Sequence, residues 1–498
     1  MERFDGAAGV RWARLAAERL AEQHAWINSI NVFPVADSDT GTNSLLTVTG
    51  GLEAVEALGE GHELPEVLAA FARGALVSAR GNSGVIISQF VGGMAASLRE
   101  SGGAAVDGEL LARALREGHK AAKEAVAVPV PGTVLSATRL ASSQAREAAK
   151  AGGGVAAVCQ AALEAAREAA RRSPEELPVL AEAGVVDAGA CVLVVVLEAL
   201  VEAVTGERPE RSGALVGGLV APERSEIQAP DLACAKHAGD DGEFELMFLL
   251  EADAGAGKEL RSRLAQHGES VAVVGDGTVW QAHVHTDVPE LALAAGALGT
   301  RRQVVVRHLA LHTGEAVPGG LGVVAAVAEP GLLAQVARTG AVVHVPSDPP
   351  ATPAELARAV EDAGAARCVI LASDAGTLAA ARELAARDER VGVLELRDGL
   401  HTVLALGELV AGSFDSPEGA EEALRAAAAG VRTAPLEGAD AAAVQGELVA
   451  VLHGTAVGPD RLAALEDAAL AAGAAEFVPF SSGIEDESVI VGALGGQA

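Results

Sequence analysis

The chain has 498 residues, which is too long for a single hydrophobic core, so we expect two to four domains. Its formal net charge is −31, and no basic patch large enough to offset this charge is visible. Such a chain is poorly suited to binding nucleic-acid backbones or inserting into anionic membranes. A polyanionic nucleotide would need metal ions and a few local arginines to bind here.

The cysteines and the N-terminus indicate the compartment. The four cysteines are far apart and form no Cys-x-x-Cys pair, so neither a disulfide framework nor a zinc ribbon is indicated. The N-terminus lacks the apolar core of a signal peptide. The longest apolar run, Ala188 to Ala199, is too short to span a bilayer. We therefore predict a soluble cytoplasmic protein.

Residues 1–205 have helical periodicity throughout and predict an all-α domain. An antiparallel bundle or a closed helical barrel would accommodate the eight predicted helices. In an up-and-down arrangement, alternate loops fall at the same end. The loops before the second, fourth, sixth and eighth helices, which we number one to four, would then meet. The predicted helices lie at 8–25, 44–58, 63–76, 85–100, 108–126, 134–150, 155–172 and 188–203.

Loop one, Asn31–Asn43, carries the first candidate site residues. Asp37 and Asp39 are two apart on an extended run, so both carboxylates can reach one hard cation. Gly41–Asn43 follow where a helix should begin, and free backbone N–H groups at a helix start attract phosphate. The alternative interpretation of this loop is an Asx-rich turn that caps a helix.

Loops two to four are also rich in Gly, Ser, Thr and Asp. Loop two is Ala79–Gly84, where Asn82 or Ser83 can cap the next helix and the glycines allow close approach to a ligand. Loop three is Pro129–Thr133 and loop four is Ala183–Gly189. Four such loops at one end of a domain favour phosphoryl transfer, which depends on positioning and charge neutralisation.

Four segments resemble the DhaL-type kinase domain, in the version found in the bacterial fatty acid kinase ATP-binding subunit. The resemblance implies an eight-helix barrel that binds Mg-ATP at one end. It also implies a separate fatty-acid-binding protein that supplies the fatty acid carboxylate, and an acyl phosphate product for phospholipid synthesis. The matching segments are Asn31–Asn43, Ala79–Gln89, Gly132–Arg139 and Leu177–Gly189.

The resemblance also implies roles for single residues. Asp37 and Asp39 would be the catalytic magnesium ligands, and Asn31 is a candidate third ligand, where related dihydroxyacetone kinases have a carboxylate. The family pattern has Gly between the two aspartates, where this chain has Ser38. Because Gly eases an unusual backbone angle, Ser38 either lowers the metal affinity or is tolerated. Residues that would contact phosphates are Thr42, Asn43, Asn82, Ser83 and Gly84, and those that would line the nucleotide are Gly132, Thr133 and Asp187.

Residues 231–320 predict a small α+β domain, after an aperiodic linker at 206–230. His283 and His285 are two apart on a predicted strand, so both face one side and could share a zinc ion. The alternative is an ordinary polar strand face. The resemblance to the fatty acid kinase middle domain implies a metal site that also uses a Cys; here Glu245 is the nearest substitute for it.

Residues 321–498 alternate between apolar strands and helices, which predicts an α/β domain with a mostly parallel sheet. The strand ends carry Ser347-Asp348, Ser373-Asp374 and Asp398-Gly399, where such sheets usually bind ligands. Their acidic residues argue against a phosphate pocket. The resemblance to the fatty acid kinase subunit is loose here, and both partner docking and homodimer formation remain open.

The sequence therefore predicts a Mg-ATP-dependent kinase subunit whose acyl substrate arrives on another protein. A carboxylate is ionised at pH 7, so it needs no general base, and the four loops contain no His. One alternative is the ATP-binding subunit of a dihydroxyacetone (glycerone) kinase. The other is a non-catalytic scaffold that retains Mg-ADP for regulation.

Overall fold

The computed structural model describes residues 4–33, 38–101, 106–126, 129–209, 242–311, 320–436 and 446–494. The chain divides into two compact units. The first comprises Met1–Asp240 and Ser270–His283, and the second comprises Asp241–Glu269 and Val284–Ala498. Most of the predicted linker and the magnesium candidate Asp37 lie outside the described residues.

The described part of the first unit is mainly helical and contains all eight predicted helices. A short additional helix lies directly before loop four, in the connection between the seventh and eighth predicted helices; Pro178 occupies its first turn and Gly184 ends it in the left-handed conformation. The nine helices are α1 (Gly6–Ser29), α2 (Thr40–Leu58), α3 (Leu64–Ser78), α4 (Gly81–Glu100), α5 (Gly108–Ala125), α6 (Val134–Lys150), α7 (Val155–Glu176), α8 (Pro178–Ala183) and α9 (Ala188–Thr205).

The long helices pack in chain order around one core. Each contacts the next along the chain, α7 contacts α9, and α9 returns to contact α1. Small and branched apolar residues fill the core, so neighbouring helices approach closely. Among the described helices, α9 is long and apolar enough to span a membrane, contrary to our expectation from its apolar run. It is mostly buried inside the unit, as is typical of the core helix of a soluble protein.

The strands within the described residues lie in two sheets. The first has eight strands in the order β2-β3-β1-β4-β6-β5-β7-β8, and the boundary between the two units falls inside β3. The second has four strands in the order β11-β10-β12-β9. The strands are β1 (Phe244–Glu251), β2 (Glu269–Gly275), β3 (Val279–Thr286), β4 (Thr300–His308), β5 (Leu321–Ala326), β6 (Val342–Val345), β7 (Arg367–Ala372), β8 (Val391–Glu395), β9 (Arg432–Pro435), β10 (Leu448–His453), β11 (Glu476–Ser481) and β12 (Val489–Leu494).

The mostly parallel sheet predicted for residues 321–498 requires correction. Strands β5 to β8 do pair in parallel, but β4 joins the same sheet antiparallel to both β1 and β6. The first sheet is therefore mixed. The second sheet is also mixed, because β10 pairs parallel with β11 and antiparallel with β12. The periodicity of a strand does not specify its partner, so this arrangement was not predictable from local pattern.

The remaining helices of the described ranges flank the strands. One of them, Pro417–Gly430, was absent from our prediction although Ser416 caps it and Pro417 begins it. These helices are α10 (Ala256–Leu264), α11 (Pro289–Ala295), α12 (Leu333–Ala337), α13 (Pro353–Asp362), α14 (Ala375–Ala385), α15 (Gly399–Ala411), α16 (Pro417–Gly430) and α17 (Pro459–Ala471).

Candidate functional site

Loop one leads directly into α2, which begins at Thr40 and not at residue 44 as predicted. Ser38 is exposed and has a φ of 56°, in the left-handed region that favours glycine. This is the backbone angle that the family's glycine would ease. Asp39 is the residue before α2, and its side chain makes no capping hydrogen bond. The early helix start places Thr42 and Asn43 in the first turn of α2.

We expected free backbone N–H groups at the start of α2 that could bind phosphate, and the structure differs. The backbone N–H groups of Gly41 and Thr42 both donate to the Oδ1 atom of Asn28, at 2.7 Å and 3.1 Å. Asn28 lies near the end of α1 and caps α2 from a neighbouring helix. Sequence reasoning missed Asn28, because a polar residue near a helix end carries no local signal of such a role.

Loops one and two meet through side chains. Thr40 donates its hydroxyl proton to Oδ1 of Asn31, a buried residue. The Thr40 hydroxyl oxygen also lies 3.5 Å from that of Ser83 in loop two. Asn31 thus orders the start of α2 through the same oxygen that a magnesium ligand would use. Its predicted role as a ligand remains untested.

Loop two opens α4, which begins at Gly81, so Asn82 and Ser83 lie in the first helical turn and do not cap it as predicted. The first backbone bond of the turn runs from the N–H of Gly84 to the carbonyl of Arg80. Within the described ranges, no acceptor engages the N–H groups of the three preceding residues. Of the two helix starts at α2 and α4, the one whose first-turn N–H groups are available to a ligand is therefore that of α4.

Two glycines allow α4 to approach α2 closely. A Cβ atom at Gly84 would lie 2.3 Å from Oγ1 of Thr47, and one at Gly81 would lie 2.9 Å from Nδ2 of Asn43. Gly81 also has a positive φ, of 54°. The close packing places Asn43, a predicted phosphate contact, beside loop two.

Loops three and four also meet each other. Gly132 has a φ of 80° and packs against the end of α7, where a Cβ atom would lie 3.0 Å from the side chain of Glu176. Thr133 caps α6 and donates its hydroxyl proton to the carbonyl of Val130. Gly189 faces Val134, since a Cβ atom there would lie 3.2 Å from that side chain.

Asp187 links loops three and four and is almost completely buried. Its carboxylate accepts hydrogen bonds from the backbone N–H groups of Ala190 and Val134. Burial raises the pKa of this carboxyl group to about 7, although the two amides favour its charged form. The convergence of all four loops into one site remains a prediction.

The predicted zinc residues lie together. Glu245, His283 and His285 are all buried, and their ligand atoms lie within 4.8 Å of one another. Among the described residues, this is the one group of three such side chains close enough to hold a metal ion. The buried guanidinium of Arg307 donates to the Glu245 carboxylate and competes with a cation for it.

Comparison with protein families matches two parts of the chain. Residues 34–202 match the DAK2 domain model, and residues 241–315 match the model of the fatty acid kinase A-like middle domain. The chain therefore contains a region similar to the DAK2 domain, followed by a region similar to the fatty acid kinase A-like middle domain. The DAK2 match covers most of loop one and all of loops two to four, and the middle-domain match covers Glu245, His283 and His285.

Curated relatives of this chain include protein YloV of Bacillus subtilis strain 168. It is 31% identical over 297 residues, which cover 57% of this chain and 52% of the relative. An uncharacterized protein of Staphylococcus aureus strain USA300 is 32% identical over 278 residues, covering 55% of this chain and 50% of the relative. The chain thus spans about half the length of the curated relatives it matches.

Solved structures with partial similarity include dihydroxyacetone kinase from C. freundii. Its complex with AMP-PNP and Mg²⁺ is 23% identical, with a TM-score of 0.30 over 39% of this chain and 33% of that chain. The native form is 22% identical, with a TM-score of 0.29 over 39% of this chain and 34% of that chain.

Proposed function

We propose that this chain is the Mg-ATP-dependent subunit of a cytoplasmic fatty acid kinase. It phosphorylates the carboxylate of a fatty acid held by a separate fatty-acid-binding protein, and the acyl phosphate serves phospholipid synthesis. The DAK2 domain joined to a fatty acid kinase A-like middle domain supports the class of protein. The observation that carries the site assignment is the junction of loops one and two at Thr40 and Ser83.

The start of α4 is the proposed phosphate-binding element. Its first-turn N–H groups at Gly81, Asn82 and Ser83 engage no acceptor within the described ranges, and α4 is a full-length helix of 20 residues. Such a helix start carries about half a positive charge, which favours phosphate oxygens. The contact between Ser83 and Thr40 brings this start to the beginning of α2, directly after Asp39.

Asp37 and Asp39 are the proposed magnesium ligands. Carboxylate oxygens are the donors that Mg²⁺ prefers, and Asp39 does not use its side chain to cap α2. A bound Mg²⁺ would neutralise charge on the phosphate oxygens, which a chain of net charge −31 otherwise repels. The protein groups then have to orient the nucleotide and exclude water, since an ionised acyl carboxylate attacks without a general base.

The test measures ATP consumption by the purified chain with a fatty-acid-loaded binding protein. We expect consumption that requires both components and is lost in Asp37→Asn and Asp39→Asn. Asp107→Asn is the matched control: Asp107 caps α5 by accepting from the N–H of Leu110, and Asn caps a helix equally well. Equal activity of Asp39→Asn and Asp107→Asn would refute the magnesium assignment.

The same assay separates the two alternatives. Phosphorylation of dihydroxyacetone on a partner subunit, without activity toward fatty acids, would identify the glycerone kinase-type subunit. Mg-ADP that stays bound and unhydrolysed with every candidate partner would identify the regulatory scaffold. Size-exclusion chromatography with and without the binding protein tests whether the C-terminal region serves docking or homodimer formation.

Zinc in the middle domain is a second part of the proposal. Two imidazoles and a carboxylate are a legitimate zinc ligand set, and Glu245, His283 and His285 are clustered and buried. For zinc to bind, the Glu245 carboxylate has to exchange its ion pair with Arg307 for the metal. We therefore expect zinc to order strands β1 and β3 and to have no part in the phosphoryl transfer itself.

A further inference from the structure

The cap that Asn28 provides to α2 also determines the orientation of its own amide group. Two backbone N–H groups, of Gly41 and Thr42, point at one side-chain atom of Asn28. An N–H group can donate only to oxygen here, so the atom is Oδ1 and the other is the amide nitrogen Nδ2. The amide of Asn28 therefore has one possible orientation.

The oriented amide in turn acts on the Thr42 side chain. Nδ2 of Asn28 lies 2.8 Å from Oγ1 of Thr42, and because Nδ2 can only donate, the threonine oxygen is the acceptor. The hydroxyl proton of Thr42 then has to point away from Asn28. Gly41 makes this arrangement possible, since a Cβ atom there would lie 2.8 Å from Oδ1 of Asn28 and 2.2 Å from the carbonyl oxygen of His24.

Thr42 differs from the other threonines near the loops. Thr40 donates its proton to Asn31, Thr47 to the carbonyl of Asn43, and Thr133 to the carbonyl of Val130. Within the ranges that the structure describes, the hydroxyl proton of Thr42 has no acceptor, and its side chain is only partly buried. It is an oriented donor at the start of α2, beside Asp39.

We propose that Asn28 is a positioning residue that directs the Thr42 hydroxyl proton toward a phosphate oxygen of the bound nucleotide. This inference rests on the proposed function, because it takes the ligand to be Mg-nucleotide. It assigns the two helix starts different tasks. The start of α4 supplies backbone N–H groups to the ligand. At the start of α2, the N–H groups of Gly41 and Thr42 already donate to Asn28, so α2 contributes one side-chain donor, the Thr42 hydroxyl group.

The test uses two substitutions and their combination. Asn28→Asp keeps an oxygen for both backbone amides but cannot donate to Thr42, so the hydroxyl proton can turn toward the new carboxylate and away from the ligand. Thr42→Val removes the donor with little change in shape. We expect each to weaken Mg-AMP-PNP binding in calorimetry by about tenfold or more, as for a lost hydrogen bond to a charged group. Thermal unfolding should change little in either variant.

The double variant separates orientation from simple charge repulsion by the new carboxylate. If Asn28 acts through Thr42, adding Asn28→Asp to Thr42→Val should cause no further loss, whereas repulsion would persist in that background. Thr42→Ser, which keeps the hydroxyl, should bind like the natural chain. Unchanged affinity in Thr42→Val, or additive losses in the double variant, would overturn the inference while leaving the proposed function standing. Absence of Mg-AMP-PNP binding by the natural chain would instead overturn the proposed function and this inference with it.

Discussion

The left-handed backbone at Ser38 leads to a quantitative prediction. A residue with a Cβ atom is destabilised by roughly 1–2 kcal/mol in this region, while glycine has no such strain but loses about 0.5–1 kcal/mol more in backbone entropy on folding. With a φ of 56° and an exposed side chain, Ser38 has no packing to lose. Ser38→Gly should therefore stabilise the helical unit by about 0.5–1 kcal/mol, which raises its melting temperature by roughly 1–4 °C.

Differential scanning calorimetry of the full chain is the appropriate assay. Ser38→Ala is the matched control, because alanine retains the Cβ atom and should melt within about 1 °C of the natural chain. The strain is present with and without ligand, so Mg-AMP-PNP affinity should stay within about twofold in both variants. A Gly variant that melts at or below the temperature of the Ala variant would contradict the reasoning.

Three further predictions concern the packing, the buried carboxyl group and the metal cluster. Gly41→Ala should lower the free energy of unfolding by roughly 1–3 kcal/mol in urea titrations, because its Cβ atom would lie 2.2 Å from the His24 carbonyl oxygen. Asp187 binds a proton more tightly in the folded chain, where its pKa is about 7, than in the unfolded chain, where it is 3.8. Its contribution to the free energy of unfolding therefore falls as the pH rises from about 4 to 7, by at most roughly 4 kcal/mol. Asp187→Asn should remove this part of the pH dependence in unfolding experiments across that range. Metal analysis of the purified chain should find about one zinc ion, lost together with some thermal stability in His283→Ala.

Each of these has its own control. Gly92→Ala lies in a roomy part of α4, where the nearest neighbouring atom would be 3.9 Å from the added Cβ atom, and should be neutral or stabilising. For Asp187, a pH dependence identical in the two chains contradicts the buried-carboxyl argument. For the cluster, His308→Ala should keep its zinc, and a natural chain purified without any zinc counts against the metal site.

Local sequence pattern determined the helical part of this protein well. Apolar spacing identified every long helix of α1 to α9, since one buried face is enough to specify a helix. Turn and capping residues located the loops between them. Two described helices were not predicted. The helix α8 is a single short turn-rich segment in the connection between α7 and α9, and α16 begins at Pro417, a residue type that also marks turns and breaks.

For the candidate site, the sequence supplied a hypothesis in outline. Motif residues group Asp39, Thr42 and Ser83, and the structure places the Thr40 hydroxyl oxygen 3.5 Å from that of Ser83; the site as a whole stays a prediction. The oxygen that accepts hydrogen bonds from the N–H groups of Gly41 and Thr42 belongs to Asn28, which lies on α1. No spacing rule contains that information.

The tertiary structure alone decided the pairings between groups that are distant in sequence. Tertiary packing decides which helix start has N–H groups available to a ligand and which threonine hydroxyl proton is available to a ligand. It also decides which strands share a sheet. Periodicity and turn chemistry act over a few residues, so they determine elements and their ends. Hydrogen bonds and strand ladders between separate elements form only when the chain has folded, and they decide what each end can bind.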